Sequence, residues 1–356
     1  MAKILPRLWK DLPADLLFEI ARCLSFLVDH NGSTHNLRIG HDVGGARFFG
    51  SYDGGWIFLA LGKTNRHMLL NLHINQHFLL PDSISMGFVG WYVQNPISMV
   101  ILSATLSSSP TTNTECFGAA IVDLSFLPHT NPRTQLAIWR MDGANHHHPV
   151  AMGFIGNCLD PWSRFEDVIH HKGAFHFLTD TEPVIAYKIL NFQEEEVTTQ
   201  LQCDSHHSLP CGVPGELLMV VRLVTFCPGH VVSLQAGAFQ VYRMMQHLNN
   251  AGLVVLAWEE LPRPFGRMLY VAQGCLRSYE VAGFLGYGFQ DGIYFLDDAT
   301  SNCVEVMVQH PPFRRYTCND NGRYRWVDVT PPRQDFQRWF PDKEQSNYLS
   351  PIWFLP

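Results

Sequence analysis

With 356 residues, 46% of them hydrophobic and only 16% charged, the chain is too apolar for disorder and too lightly charged for a coiled coil or helical bundle. A net charge of −7 argues against a nucleic-acid binder that works through a broad phosphate-facing surface, and no apolar run reaches the roughly 18 residues of a membrane span. The 24 Phe, 11 Tyr and 9 Trp suit half-buried strands, and 27 Gly and 22 Pro supply turns, so the chain reads as all-β.

The first ten residues hold no signal-peptide core, because Pro6, Arg7 and Lys10 interrupt it, and the expected location is the cytoplasm or nucleus. The nine cysteines form no C-x-x-C pair, which fits buried free thiols in a reducing compartment. Residues 5–30 carry the one amphipathic helical pattern. Asp11-Leu12-Pro13 reads as its N-cap region, and Leu16, Leu17, Ile20 and Leu24 fall at helical spacing opposite Asp15, Glu19 and Arg22. The turn-rich Asp29-His30-Asn31-Gly32-Ser33 ends that pattern, and residues 31–45 read as a linker.

From residue 46 to 356 the chain consists of short apolar runs punctuated by turn residues. Asp53-Gly54-Gly55-Trp56-Ile57-Phe58-Leu59 resembles Lys172-Gly173-Ala174-Phe175-His176-Phe177-Leu178, and both resemble Asp291-Gly292-Ile293-Tyr294-Phe295-Leu296. Gly54, Gly173 and Gly292 are spaced by 119 residues each, an interval that divides into three units of about 40 residues, the length of a four-stranded propeller blade. A weaker copy at Pro214-Gly215-Glu216-Leu217-Leu218 falls 42 residues after Gly173, one unit on. The expectation is a β-propeller of about six or seven four-stranded blades, preceded by a short helical segment. Ser350-Pro351-Ile352-Trp353-Phe354-Leu355 is a candidate for the strand that closes the ring into the first blade.

No catalytic constellation stands out. His146-His147-His148, His170-His171 and His206-His207 lack a metal-ligand pattern, and adjacent histidines on a strand point to opposite faces. Ser51 reads as part of a turn before a strand, Gly62-Lys63-Thr64 as a hairpin turn, Asp297-Asp298 as a turn cap and Glu194-Glu195-Glu196 as a solvated hairpin tip. Arg314, Arg315, Arg323 and Arg325 read as a solvated strand edge rather than a basic binding patch. Trp56, Trp139, Trp162, Trp258 and Trp326 divide between blade core and contact surface. The expectation is therefore a protein that is not an enzyme and needs no metal or cofactor.

Leu8-Trp9-Lys10-Asp11-Leu12-Pro13-Ala14-Asp15-Leu16-Leu17-Phe18-Glu19-Ile20 resembles the opening helix of an F-box. The stretches Phe49 to Trp56, Leu69 to Leu72, Leu79 to Pro81, Gly215 to Val220, Phe239 to Arg243, Asp291 to Asp298 and Ser350 to Trp353 are similar, in order, to the kelch-like propeller of a large plant F-box family. The resemblance implies a substrate-recognition subunit of a cullin-based SCF ubiquitin ligase. Its F-box would dock on the Skp-type adaptor through Leu12, Pro13, Leu16, Leu17 and Ile20, and its propeller would recruit a target protein. The Val-Cys-x-x-Trp-Arg type helix of a complete F-box is missing, so the F-box is truncated. A propeller interaction scaffold without ligase association is the alternative.

Overall fold

The structure, a computed structural model, describes residues 26–28, 34–36, 46–61, 66–71, 74, 76–88, 91–92, 96–111, 115–124, 134–141, 151–154, 165–179, 183–193, 196–205, 209–213, 216–227, 233–248, 254–262, 266–284, 290–296, 321–327, 333–338 and 353. Nearly all of these are strand. The one helical element among them is a single 3-10 turn at Val281–Phe284. No helix of the described residues is long and apolar enough to cross a membrane.

The first two strands, β1 (Phe26–Val28) and β2 (Thr34–Asn36), pair antiparallel. They show residues 26–28 and 34–36 as strand within the stretches expected to be helix and linker, and residues 5–25 lie outside the described residues. Phe26-Leu27-Val28 is a β-favouring run.

Four larger sheets follow. β3 (Arg47–Tyr52), β4 (Trp56–Leu61), β5 (Arg66–Asn71) and β6 (Gln76–Leu79) form an antiparallel meander. β7 (Ser83–Phe88), β8 (Trp91–Tyr92), β9 (Ile97–Ser98), β10 (Val100–Leu106), β11 (Phe117–Asp123), β12 (Thr134–Arg140) and β13 (Ala151–Phe154) form the second sheet. Here β10 to β13 run as a meander, and β7 adds in parallel to the outer strand β13. β14 (Phe165–His171), β15 (Ala174–Thr179), β16 (Pro183–Gln193) and β17 (Glu196–Ser205) make the third.

The last sheet holds nine strands: β18 (Leu209–Val213), β19 (Glu216–Cys227), β20 (Ser233–Leu248), β21 (Val254–Leu261), β22 (Arg267–Val271), β23 (Arg277–Glu280), β24 (Gly292–Leu296), β25 (Asn321–Val327) and β26 (Arg333–Arg338). It joins two units, because β18 meets β23 through the parallel bridge Gly212↔Arg277.

The first strand of each sheet lies against the first strand of the next, β3 beside β10, β10 beside β14 and β14 beside β18. Residues 273–277 return from the last sheet to β3, where the Ser51 amide donates to the Gly274 carbonyl at 3.0 Å. The circuit is a β-propeller. Such a ring explains why β10, β11 and β12 read as almost continuous apolar runs rather than alternating ones, since each middle sheet is covered on both faces. On one face Ile101, Ala104, Ala120, Val122, Ala137 and Trp139 pack against Phe49, Trp56, Phe58 and Leu69 of the first sheet. On the other, Leu102, Ala119, Ile121, Leu136 and Ile138 pack against Phe165, Val168, Phe175, Phe177 and Tyr187 of the third. Each large side chain buried in this way contributes roughly 2–3 kcal/mol.

The recurring glycine turns are placed as the repeat predicts at two of three positions. Gly54 and Gly173, with φ of 80° and 76°, join the first strand of a sheet to its second. Gly292 instead begins β24, which pairs in parallel with β22, so it closes no hairpin. Between Gly54 and Gly173 the described residues hold one further first strand, β10. Over the described residues the 119-residue interval spans two sheet-to-sheet steps, and strands 83–98 lengthen the second unit. Of the expected closing strand, only Trp353 lies among the described residues. It is buried against Tyr270, Tyr294 and Cys275 and donates its indole N–H to the Val271 carbonyl at 3.3 Å, which places it on the last sheet.

Candidate functional site

Leu12, Pro13, Leu16, Leu17 and Ile20, the adaptor-docking residues expected from sequence, lie outside the described residues. So do His146 to His148, His206-His207, Gly62 to Thr64, Asp297-Asp298, Trp162, Arg314 and Arg315. The structure does show the axis of the ring, and there sequence reasoning had singled out only Ser51.

Residues 273–277 run between β3 and β14, from the level of Glu166 to the level of His170. At the lower end the Gln273 amide donates to the Glu166 carbonyl at 3.0 Å. One step on, Gly274 sits so close to β3 that an added Cβ would lie 2.4 Å from the Phe49 carbonyl oxygen and 2.8 Å from Gly50 Cα, and its φ is +66°. Only glycine meets both requirements. Gly50 faces the same constraint from the other side, since a Cβ there would meet the carbonyls of Ala104 and Gly274, each at 2.9 Å.

A buried carboxylate organises this level. Asp167 Oδ1 accepts from Ser103 Oγ at 2.6 Å, from the Val168 amide at 2.7 Å and from the Gly274 amide at 3.0 Å. β10, β14 and the returning segment therefore meet on one oxygen. A buried carboxylate is tolerated only when donors replace its water, and on Oδ1 these three do so. Ser51, read from sequence as a turn residue, is the fifth residue of β3 and is fully buried, with its Oγ 2.7 Å from Cys275 Sγ. It is therefore a seam contact, not an exposed nucleophile. Burial pushes the Cys275 thiol up to about 12, although the Ser51 contact pulls the other way.

Above this level lies the mouth of the ring, encircled by the turns that join first strands to second ones. Arg277 Nε donates to Asp53 Oδ1 at 3.3 Å and Nη1 to the Leu276 carbonyl at 2.8 Å, while its guanidinium lies 5.1 Å from the Tyr52 ring centroid. Tyr279 shares a strand face with Arg277, two residues on, and donates its hydroxyl to the same Asp53 oxygen at 2.7 Å. Burial and then the Asp53 charge raise the Tyr279 phenol well above its usual value, so it remains a donor. His170, His171 and Lys172 stand at the neighbouring turn. Burial lowers His170 to about 4, helped by the charges of His171 and Arg277. Burial, with the nearby His171 charge, also lowers His176 to about 4.

His171 and His176 share one strand face, with ring centroids 6.0 Å apart, whereas His170 packs against Phe175 on the other with the rings tilted by 58°. That split follows from the pleat, as expected. No group of three or more His, Cys, Asp or Glu residues able to hold a metal is found among the described residues. Trp56 and Trp139 are buried core, and Trp258 is half-buried. Arg323 corrects its reading as part of a solvated edge. It is buried and donates to the Gln290 side chain and the Asp291 carbonyl, both at 2.7 Å, over the Tyr294 ring. Arg325, two residues on, is exposed.

Fold and seam together define a β-propeller in which β10, β14 and the returning segment meet on Asp167 Oδ1 and that segment is bonded to β3. The chain belongs to the KIB1-4 β-propeller family, whose family model matches residues 24–331. No curated protein matches the sequence. The match begins ahead of residue 46, where the sequence reading had set the propeller boundary, and takes in the β1–β2 pair.

Proposed function

We propose that this chain is a non-catalytic recognition subunit of a cullin-based ubiquitin ligase, in which the propeller holds the target protein and the N-terminal F-box-like segment docks on the Skp-type adaptor. The observation that carries the recruiting half is the engagement of the Asp167 carboxylate in the seam. Enzymes of this architecture gather carboxylates and histidines from several blades around an open channel, whereas here Asp167 Oδ1 is consumed by Ser103, Val168 and Gly274. A ring so built offers its loop-bearing faces to a macromolecule. Membership of a β-propeller family is consistent with protein interaction. The ligase half is supported by the F-box-like stretch from Leu8 to Ile20, whose apolar residues Leu12, Pro13, Leu16, Leu17 and Ile20 need a surface to cover them.

A second reading, a propeller scaffold with no ligase partner, is favoured by one observation. The chain forms the β1–β2 pair where the later helices of a complete F-box would stand. Pull-down of the purified chain with the Skp-type adaptor separates the two. Retention of wild type with loss in Leu16→Asp/Leu17→Asp supports the recognition subunit. Absence of wild-type retention leaves the scaffold.

A further inference from the structure

The geometry points to Arg277 as the anchor of an acidic partner segment at the mouth of the ring, with the protein's own Asp53 holding that place when no partner is bound. The inference deepens the recruiting role proposed above and rests on it only in that the propeller holds a partner protein. No ligase component enters its test, so either idea can fail without the other.

The Arg277 side chain is only 11% exposed and fixed on three sides, by Tyr52 beneath it, the Leu276 carbonyl and Asp53 Oδ1. Its Nη2 makes no hydrogen bond among the described residues. A guanidinium held in this way is a fork set for a carboxylate, with little left to order on binding. Its internal partner is unlike it. The Asp53 side chain is 53% exposed and sits on a turn of two glycines with φ of 80° and 81°, and a Cβ at Gly54 would meet nothing within 4 Å. Asp53 engages through Oδ1 only, which accepts from the Tyr279 hydroxyl at 2.7 Å and from Arg277 Nε at a long 3.3 Å. The guanidinium is buried but the carboxylate stands open to water, so an incoming carboxylate that takes over both donors replaces Asp53.

The surroundings favour an anion. At the mouth Lys172 is exposed and the Tyr279 hydroxyl points to the same spot as Arg277, while burial keeps the neighbouring His170 and His176 uncharged. The carboxylate at the next turn, Glu216, is already engaged by Arg267 at 3.0 Å and Arg243 at 3.6 Å. The chain as a whole carries −7, so the cations Arg277 and Lys172 on an acidic protein also orient an acidic partner toward that face.

The test is fluorescence anisotropy with a fluorescein-labelled hexaglutamate peptide, and hexaglutamine as control, at physiological salt. Wild type binds hexaglutamate in preference to hexaglutamine. Asp53→Asn, which keeps an oxygen for Tyr279 but removes the competing charge, binds about tenfold tighter, the worth of one charged hydrogen bond. Arg277→Met loses the preference. Asp82→Asn, which removes a carboxylate just after β6, at the end of the first sheet opposite the mouth, leaves affinity at the wild-type value. A gain in Asp53→Asn cannot arise from misfolding, so it decides the matter even if Arg277→Met is unstable. Equal affinity in wild type and Asp53→Asn, an equal gain in Asp82→Asn, or no preference for hexaglutamate in any variant overturns the proposal.

Discussion

His67 makes the first sheet sensitive to acid. It lies on β5, 1% exposed, where it spans the gap to the second sheet. Nδ1 is 2.9 Å from the Pro81 carbonyl and so carries the proton, and Nε2 accepts from the Ile101 amide at 3.2 Å. Both ring nitrogens are used by the neutral form. A second proton would sit on Nε2, facing the Ile101 N–H, with the Arg47 guanidinium nearby bonded to the Ile101 carbonyl. Burial first and Arg47 second hold the imidazole at about 3, against an ordinary value of 6.5.

The sign follows from which state prefers the proton. The unfolded chain takes it near 6.5 and the folded chain only near 3, so stability present above 6.5 is lost as pH falls through that window. Between about pH 7 and about pH 5 the loss from this one group is about 2 kcal/mol, from 1.36 kcal/mol per unit below the unfolded value. His67→Gln offers an N–H to Pro81 and an oxygen to the Ile101 amide but does not titrate. Urea unfolding of both proteins at the two pH values checks this. Wild type should lose about 2 kcal/mol more than the variant, over a shared background to which His170 and His176 contribute in the same direction. Parallel losses in the two proteins would refute the reasoning.

Four further outcomes follow from the seam and the turns beside it. Gly274→Ala should cost about 3 kcal/mol in urea unfolding, since its Cβ would lie 2.4 Å from the Phe49 oxygen at a φ of +66°. Gly54→Ala, strained at +80° but with open space, should cost only about 1 kcal/mol. Asp167→Ala strands the Ser103 hydroxyl and the Val168 and Gly274 amides and should cost about 3 kcal/mol or more, with Asp167→Asn recovering a large part through its Oδ1; an alanine variant as stable as wild type contradicts the hub. Cys275, with its thiol near 12, should resist iodoacetamide in the native protein at about pH 8 and react once denatured, read by peptide mass spectrometry.

The propeller was legible because its repeat is local. A glycine turn before an aromatic strand marks Gly54 and Gly173 as hairpins wherever the sheets lie in space, and the two-sided apolar runs of β10 to β12 follow from burial on both faces. The unit length was less legible, because β7 attaches in parallel to β13 and adds residues that no turn motif announces. The axis was almost invisible. Asp167 looks like an ordinary strand-edge acid in Phe165-Glu166-Asp167-Val168, and its partners Ser103 and Gly274 lie 64 and 107 residues away. Arg277 and Asp53 are 224 residues apart, and no periodicity links them. One signal was available, the isolated Gly274 between the apolar Val271-Ala272 and Cys275-Leu276, since a lone glycine in such a run marks close backbone approach. The misreading of Arg323 has the same origin. Its arginine-rich neighbourhood suggested solvent, but Gln290 and Asp291 reach it from a distant stretch of chain.

The account depends on the last sheet returning to the first. Ser51 Oγ and Cys275 Sγ, 2.7 Å apart and 224 residues distant in sequence, report on that seam directly. A Ser51→Cys protein refolded in a glutathione redox buffer should form a 51–275 disulfide, seen as a linked peptide pair by mass spectrometry and as faster migration on a non-reducing gel, and Cys275→Ser in the same background should abolish it. A folded Ser51→Cys protein in which both cysteines remain free would contradict the closed ring.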